Sequence, residues 1–349
     1  AIEIAERASA DLEGRLGCSA SGADDPCVSE FVERFGRRLF RRALSAEEVD
    51  RYLTLLTTQD SLQSGVRVLL RVMLVSPDFL YRSEIGELDG EVARLTGFEI
   101  AALLSYSFWG TTPDDELLDA AELGDLDHPT GIEVQARRLL DDPRAREVLG
   151  TFALQWLGVE RVVGADKSST MFPQFDRELS EQMADETRRF VAGVVFDSGR
   201  FEDLFSGDYS VAAPRLAELY GADAAGLLPE SRRAGVLSHG SVLAAYAHSD
   251  QTSPVRRGLF VRSRLMCMEL GPPPPNSGSV PEIDPSSSTR ERFAQHSSSP
   301  TCASCHRNID PLGFGFESFD AIGAFREEDA GQPVDSSGEI TYPEGWEVD

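Results

Sequence analysis

The sequence predicts a mainly α-helical protein, in which a multi-helix array is followed by a small C-terminal segment of different composition. Apolar residues recur at helical spacing through most of the 349 residues. Capping residues, prolines and glycines stand where these segments begin and end. Strand-like alternation is rare and no internal repeat is visible. These three observations favour an array of helices.

The first helices are marked by an apolar face and by a capping box. In "SEFVERFGRRLFRR" the apolar face is formed by Phe31, Val32, Phe35 and Leu39. "SAEEVDRYLTLL" opens with Ser45 and has Glu48 three residues later, which is a capping box. A third segment, "SLQSGVRVLLRVMLV", should end at Ser76-Pro77, because the residue before a proline avoids the helical conformation.

The central segments carry similar signals. "TGFEIAALLSYSFWG" begins with Thr96 and Glu99, a second capping box, and ends at Gly110. In "TTPDDELLDAA" we expect Thr112 to be the N-cap and Pro113 the first helical residue. "DPRAREVLGTFALQWLG" and "LSEQMADETRRFVAGVVF" continue the helical series.

One break in composition divides the chain. "GPPPPNSGSVPEIDPSSS" is too rich in proline, glycine and serine for a helix, and its prolines predict an extended polyproline strap. After it, "STRERFAQH" predicts a short helix capped by Ser288. The predicted parts are an N-terminal helical domain (1–85), a central helical domain (86–270), a Pro/Ser-rich linker (271–288) and a C-terminal segment (289–349).

The charge restricts the classes of partner. The formal net charge is −26, which argues against nucleic acid and anionic membranes because like charges repel. A basic partner or a solvated secreted surface fits this charge better. No apolar run reaches the roughly 18 residues that a membrane span needs, and the opening "AIEIAERASADLEG" shows no signal peptide.

"CASCHRNIDPLGF", residues 302 to 314, carries the strongest chemical signal. Two cysteines two residues apart and followed by histidine indicate covalent attachment of a c-type haem. One alternative is a zinc site, but a second cysteine pair is missing, and adjacent Cys305 and His306 would share one tetrahedral ion with difficulty. The other is a redox dithiol, which would require a thioredoxin-like βαβ context.

Haem attachment gives each residue of this segment a role. Cys302 and Cys305 stand about one helical turn apart, so both sulfurs can reach the two vinyl groups of one porphyrin edge, and His306 becomes the proximal iron ligand. The second ring nitrogen of His306 needs an acceptor, and we expect the carbonyl of Pro311 to serve. Residues that would wall off the ring, or simply pack a core, are Leu312, Phe314 and Phe316.

The sixth iron ligand is the main open question. Residues 307–349 contain no Met, His or Lys, so the ligand comes from upstream, from a part outside this sequence or from another chain, or the position is open. We favour His248, in a polar break between two helices. The other upstream candidates are His239, Met266, Met268 and His296.

Arginines downstream of His248 are candidates for neutralising the haem propionates by bidentate pairing. These are Arg256 and Arg257, in "TSPVRRG", and Arg326, in "AIGAFR". The alternative for each is a salt bridge to one of the many carboxylates.

The remaining cysteines indicate an oxidising compartment. Cys18 and Cys27 close a small polar loop and are expected to form a disulfide. This leaves Cys267 as a buried thiol or as the partner of a cysteine outside this segment. Covalent haem attachment also takes place outside the cytoplasm, so both arguments predict a periplasmic or extracellular protein.

The haem segment and its surroundings resemble the planctomycete-type cytochrome c family, large secreted bacterial proteins assembled from domains of unknown function. "CASCHRNIDPLGFGFESFDAIGAFR" is the most specific match, and "TSPVRRGLFVRSRLMCMELGPPPP" is similar to the family's stretch leading into a proline run. "FGRRLFRRALSAEEV", "LLSYSFWGTTPDDELLDAA" and "FALQWLG" match helical segments in the same order. The resemblance implies a covalent haem outside the cytoplasm, further sequence at both ends, and a partner for Cys267 there.

Three functions follow from these observations. The leading hypothesis is an extracytoplasmic electron-transfer protein with one haem c. Its partner would be a redox protein or other haem subunits, and it would assemble with missing N- and C-terminal parts or other chains. A haem enzyme of the peroxidase or oxygenase type would need an open iron position. A surface-assembly or structural haemoprotein is the third alternative.

Overall fold

The structure is a computed structural model that describes residues 1–208, 211, 213–221, 232–271, 284, 286–296 and 300–339. The chain divides into two compact units, Ala1–Val148 and Leu149–Asp349. Within the described residues there are many α-helices and only two short two-stranded ladders, so the predicted mainly α class is confirmed. The four-part division made from the sequence places its boundaries elsewhere and stays a prediction.

The first unit is built of helices and one short ladder, β1 (Glu87–Asp89) with β2 (Val92–Arg94). Its helices are α1 (Ile2–Ser9), α2 (Leu12–Leu16), α3 (Pro26–Phe40), α4 (Ala46–Thr57), α5 (Leu62–Leu74), α6 (Pro77–Leu80), α7 (Gly97–Trp109), α8 (Asp115–Glu122) and α9 (Pro129–Leu140). The helix α10 (Pro143–Leu157) contains the division between the units.

Local capping signals locate several of these helices. The capping boxes of Ser45 with Glu48 and of Thr96 with Glu99 are both formed, and Gly110 ends α7 in the left-handed conformation, as predicted. Helix α3 buries its apolar face, including Phe31 and Val32, and packs against α4 and α6. The side chains on these faces, with those of the second cluster around Trp109, form the core of the unit.

The start of α8 differs from the prediction. Its N-cap is Asp114 and not Thr112, and Pro113 precedes the helix instead of opening it. The Asp114 carboxylate accepts from the Leu117 N–H at 3.0 Å and is also bonded by Arg138. A carboxylate that also pairs with an arginine is a more favourable N-cap than a threonine hydroxyl, because charge-assisted hydrogen bonds are stronger.

Cys18 and Cys27 form the predicted disulfide, with their Cα atoms 6.7 Å apart. The bridge joins the loop after α2 to the first turn of α3. Both cysteines pack partly buried against the core of this unit.

The second unit contains the remaining elements. Its helices are α11 (Arg177–Gly193), α12 (Asp203–Ser206), α13 (Pro214–Tyr220), α14 (Gly240–Ala245), α15 (Pro254–Phe260), α16 (Thr289–His296), α17 (Pro300–His306) and α18 (Asp310–Phe314). The short strands β3 (Glu328–Asp329) and β4 (Gln332–Pro333) pair after them. The chains of α11 and α15 continue as π-helical turns at Val194–Ser198 and Val261–Leu265.

Helix α16 begins where the sequence predicts. The Glu291 N–H donates to the Ser288 hydroxyl at 3.3 Å, and the Glu291 carboxylate accepts from the Ser288 N–H at 2.8 Å. Of the predicted Pro/Ser-rich linker (271–288), residues 272–283 and 285 lie outside the described residues. Within the described ranges, no helix combines the length and the apolar character that crossing a membrane requires.

Helices α15 and α18 pack with their backbones in direct contact. A Cβ atom at Gly313 would overlap the carbonyl of Pro254, and one at Gly258 would overlap the carbonyl of Ile309. Two glycines are therefore required for this approach, one on each helix. The contact fixes the segment that follows the CxxCH motif against the rest of the second unit.

We expect Gly313→Ala to lower the free energy of unfolding by about 1–3 kcal/mol, because the added methyl group forces the two backbones apart. The matched control is Gly315→Ala, whose Cβ would meet its nearest neighbour at an ordinary 3.4 Å. Urea unfolding followed by circular dichroism measures both. Equal stability of the two variants would contradict the close packing.

Candidate functional site

The CxxCH motif lies at the end of a helix. Cys302, Cys305 and His306 all belong to α17, which ends at the histidine. The two thiols are unpaired and partly exposed. Since residues three apart in a helix share one face, both sulfurs lie on the same side of α17. The geometry suits a double covalent attachment to one ligand edge.

His306 is oriented by a carboxylate. Its Nδ1 atom lies 2.8 Å from Asp310 Oδ1, and the side chains are 14% and 11% exposed. This hydrogen bond raises the pKa of His306 above its usual value. The sequence had suggested the carbonyl of Pro311 for this role, but the structure places the Asp310 side chain there. Position i+4 from the histidine was a readable signal that the sequence interpretation missed.

A cleft of about 470 Å³ opens beside His306, within the usual size range of small-molecule sites. Pro311 and the buried ring of Phe314 contribute apolar surface to it, and the role of Phe314 as a wall of the haem ring stays a prediction. Leu312 is half-buried on the same helix, but it does not line this cleft. The role of Leu312 in shielding the haem ring therefore stays a prediction.

Two arginines that sequence reasoning missed also line this cleft, Arg290 on α16 and Arg307 just after the motif. The guanidinium of Arg290 lies 4.3 Å from the centre of the Phe314 ring and donates to the carbonyl of Asp335 at 3.0 Å. No local pattern connects Arg290 with residue 314, because only the fold brings α16 beside α18. Both arginines bring cationic groups to a cleft that the carboxylates of Asp310 and Glu339 also line.

Arg257 has a different role from the one expected. It is 1% exposed, and Nη1 donates to the carbonyls of Phe316 and Phe319, each at 2.9 Å. Nη2 donates to the carbonyls of Leu243 and Asp320 at 3.2 and 2.6 Å. Burial lowers the pKa of Arg257 to about 10, so the group stays charged at neutral pH. These bonds occupy the guanidinium and correct its assignment as a propionate partner.

The carboxylate of Glu317 completes this buried network. Glu317 is 3% exposed and lies 3.5 Å from Arg257 and 2.8 Å from Arg326. Thr252 donates to the same carboxylate at 2.7 Å. Arg326 also pairs with Asp329 at 2.8 Å, so the structure places it in a salt bridge, the alternative considered from the sequence.

A second buried arginine, Arg233, supports the same loop. It is 5% exposed, donates to the carbonyl of Ser238 at 2.6 Å and bonds the carbonyl of Gly323. Its guanidinium also covers the rings of Tyr220 and Phe319. The loop after the CxxCH segment is therefore held by cations of the helical body.

His248 precedes α15, and Arg256 lies in the first turn of that helix. Arg256 is exposed and donates to the carbonyl of Ala247 at 3.1 Å. Burial, and secondly the charge of Arg256, lower the pKa of His248. The carbonyl of His248 accepts from Lys167 Nζ at 2.7 Å. Neither residue lines the cleft beside His306, so their roles as propionate partner and sixth ligand stay predictions.

The other candidates for the sixth ligand have separate environments. His239 is 4% exposed, and its Nδ1 lies 3.0 Å from the Thr187 hydroxyl, inside the core. Met266 and Met268 follow the π-helical turn, and between them Cys267 is exposed in a left-handed conformation. The thiol of Cys267 is thus at the surface, not buried. The side chain of His296 lies outside the described residues.

The residues present fit a covalently attached haem. Two reduced cysteines share one face of α17, a histidine is held through Nδ1, and the neighbouring cleft combines apolar surface with two arginines. Among the described residues, no group of three or more His, Cys, Asp or Glu is arranged to hold a metal ion. An iron that brings its own porphyrin nitrogens requires only axial ligands from the protein.

Three family models together match most of this helical chain. Residues 27–84 match PSD5, a protein of unknown function (DUF1595). Residues 95–222 match PSD4, a protein of unknown function (DUF1592). Residues 233–329 match PSCyt3, a protein of unknown function (DUF1588), which includes α15, α17 and α18.

These are the domains associated with planctomycete cytochrome c proteins, and the chain belongs to that family. No curated protein and no solved structure is similar enough to this chain to count as a match.

We expect Arg257→Met to lower the free energy of unfolding by about 3–5 kcal/mol, because it removes one partner of a buried ion pair and leaves several carbonyls without a donor. The matched control is Arg256→Met, which loses one hydrogen bond of an exposed side chain and should cost no more than about 1 kcal/mol. Urea unfolding compares them. The network would be refuted by equal losses.

Proposed function

We propose that the protein is an extracytoplasmic c-type haem protein that transfers electrons through one covalently bound haem. The observation that carries this proposal is the α17 motif, in which two reduced cysteines on one helical face precede a histidine held by a buried carboxylate. The family supports it, because its domains are typical of cytochrome c-type proteins. The disulfide of the first unit fits an oxidising compartment.

Each residue of the site has a role in holding the cofactor. Cys302 and Cys305 would form the thioether links, and the Nε2 atom of His306 would bind the iron. The haem, when bound, supplies a one-electron couple. Pro311 and Phe314 exclude water from one side of the cleft, while Arg290 and Arg307 provide positive charge suited to propionates.

The helical body serves in this proposal as a docking module. Electron transfer needs a partner, either a redox protein or another haem subunit. The net charge of −26 favours a partner with a basic surface, because electrostatic complementarity accelerates encounter. The exposed thiol of Cys267 is available for a link to further parts of the same assembly.

The decisive experiment expresses the chain with a c-type haem maturation system. We expect the denatured polypeptide to retain a haem absorption spectrum and the added mass of one porphyrin. Cys302→Ala, Cys305→Ala and the double variant should lose one or both covalent links. The matched control is Cys267→Ala, which removes a thiol outside the motif and should attach haem normally. Absence of covalent haem in the parent protein would refute the proposal.

The sixth ligand can be tested with carbon monoxide. If His248 binds the iron, the ferrous parent protein should bind carbon monoxide slowly, whereas His248→Ala should bind it at once. His128→Ala, a histidine between α8 and α9 in the first unit, is the control and should behave as the parent. Prompt binding by the parent would instead indicate an open position and favour a haem enzyme.

A further inference from the structure

We infer that Asp310 sets the electron density on the proximal histidine and thereby holds the reduction potential of the bound haem low. The inference rests on the proposed function, since it treats His306 as an iron ligand. The observation behind it is the contact of 2.8 Å between Asp310 Oδ1 and His306 Nδ1. Asp310 acts through the histidine, so it is a positioning residue.

The effect on the reduction potential depends on which group accepts the hydrogen bond from His306 Nδ1. A carboxylate carries a full charge, whereas a backbone carbonyl, such as that of Pro311, is only a dipole. A carboxylate therefore draws the Nδ1 proton more strongly and makes the ring a better electron donor through Nε2. A more basic axial ligand stabilises ferric iron over ferrous iron and lowers the potential of the one-electron couple.

The low solvent exposure of both side chains strengthens the influence of Asp310 on His306. The side chain of Asp310 is 11% exposed and that of His306 is 14% exposed. Because little water competes, the hydrogen bond is stronger than it would be at the surface. The structure thus shows a shielded carboxylate–histidine pair at the position where the sequence alone suggested a neutral acceptor.

Packing against the body holds the carboxylate in place. Asp310 is the first residue of α18, whose Gly313 lies against the carbonyl of Pro254 in α15. The preceding carbonyl, that of Ile309, lies against Gly258. The position of Asp310 is therefore determined by the contact between α15 and α18, and the histidine is oriented before any ligand is bound.

The test is a spectroelectrochemical titration of the full chain carrying covalent haem. Asp310→Asn keeps the size of the side chain and removes its charge, and Asp310→Ser provides a second neutral replacement. We expect both to raise the midpoint potential by 59 mV or more, which corresponds to a tenfold change in a one-electron equilibrium. Asp310→Glu, which keeps a carboxylate, should give a smaller change.

The matched control is Glu339→Gln, which removes a carboxylate that lines the same cleft. It should shift the potential by much less, since it tests the loss of charge through space. Haem-loaded neutral variants with the parent potential, or shifts no larger than that of Glu339→Gln, would overturn the inference and leave the proposed function standing.

Circular dichroism distinguishes a change in reduction potential from a loss of folding. If both neutral variants fail to fold while Asp310→Glu folds, Asp310 has a structural role and the inference is overturned. A parent protein without covalent haem would overturn the proposed function itself, which is a different result from any of these.

Discussion

Gly258 and Gly313 allow α15 and α18 to approach until backbone touches backbone, and the position of the candidate site follows from this contact. Helix α18 begins with Asp310, which in turn holds the ring of His306. A chain of contacts therefore runs from the helical body to the histidine. The histidine depends on residues about fifty positions upstream, although the motif itself is five residues long.

Buried arginines donate hydrogen bonds to the backbone carbonyls of the loop after α18. The loop after α18 is irregular, and its carbonyls would be costly to bury without donors. Arg257 supplies donors to the carbonyls of residues 316, 319 and 320, and Arg233 to that of residue 323. Arginine suits this task because it offers five donors in a rigid planar group. Glu317 compensates part of the buried charge.

These contacts connect two features that the sequence shows separately. The "TSPVRRG" stretch supplies α15 and Arg257, and the CxxCH segment supplies α17 and α18. The PSCyt3 match covers both within residues 233–329, which is consistent with one structural unit. In the function proposed above, the Asp310 carboxylate behind the histidine would give this unit a means of setting the reduction potential, a property that the bare CxxCH motif does not specify.

The sequence by itself determined the helical class, the capping boxes at Ser45 and Thr96, the disulfide and the CxxCH motif, because each depends on residues close together in the chain or on composition. At the start of α8 both Thr112 and Asp114 could cap the helix. Asp114 is the N-cap because it also pairs with Arg138, which lies 24 residues further along the chain. Asp310, four residues after His306, was within reach of a local reading of the sequence, whereas the presence of Arg290 in the cleft and the burial of Arg257 were decided only by the tertiary structure. They depend on which helices pack together, and no local pattern carries that information.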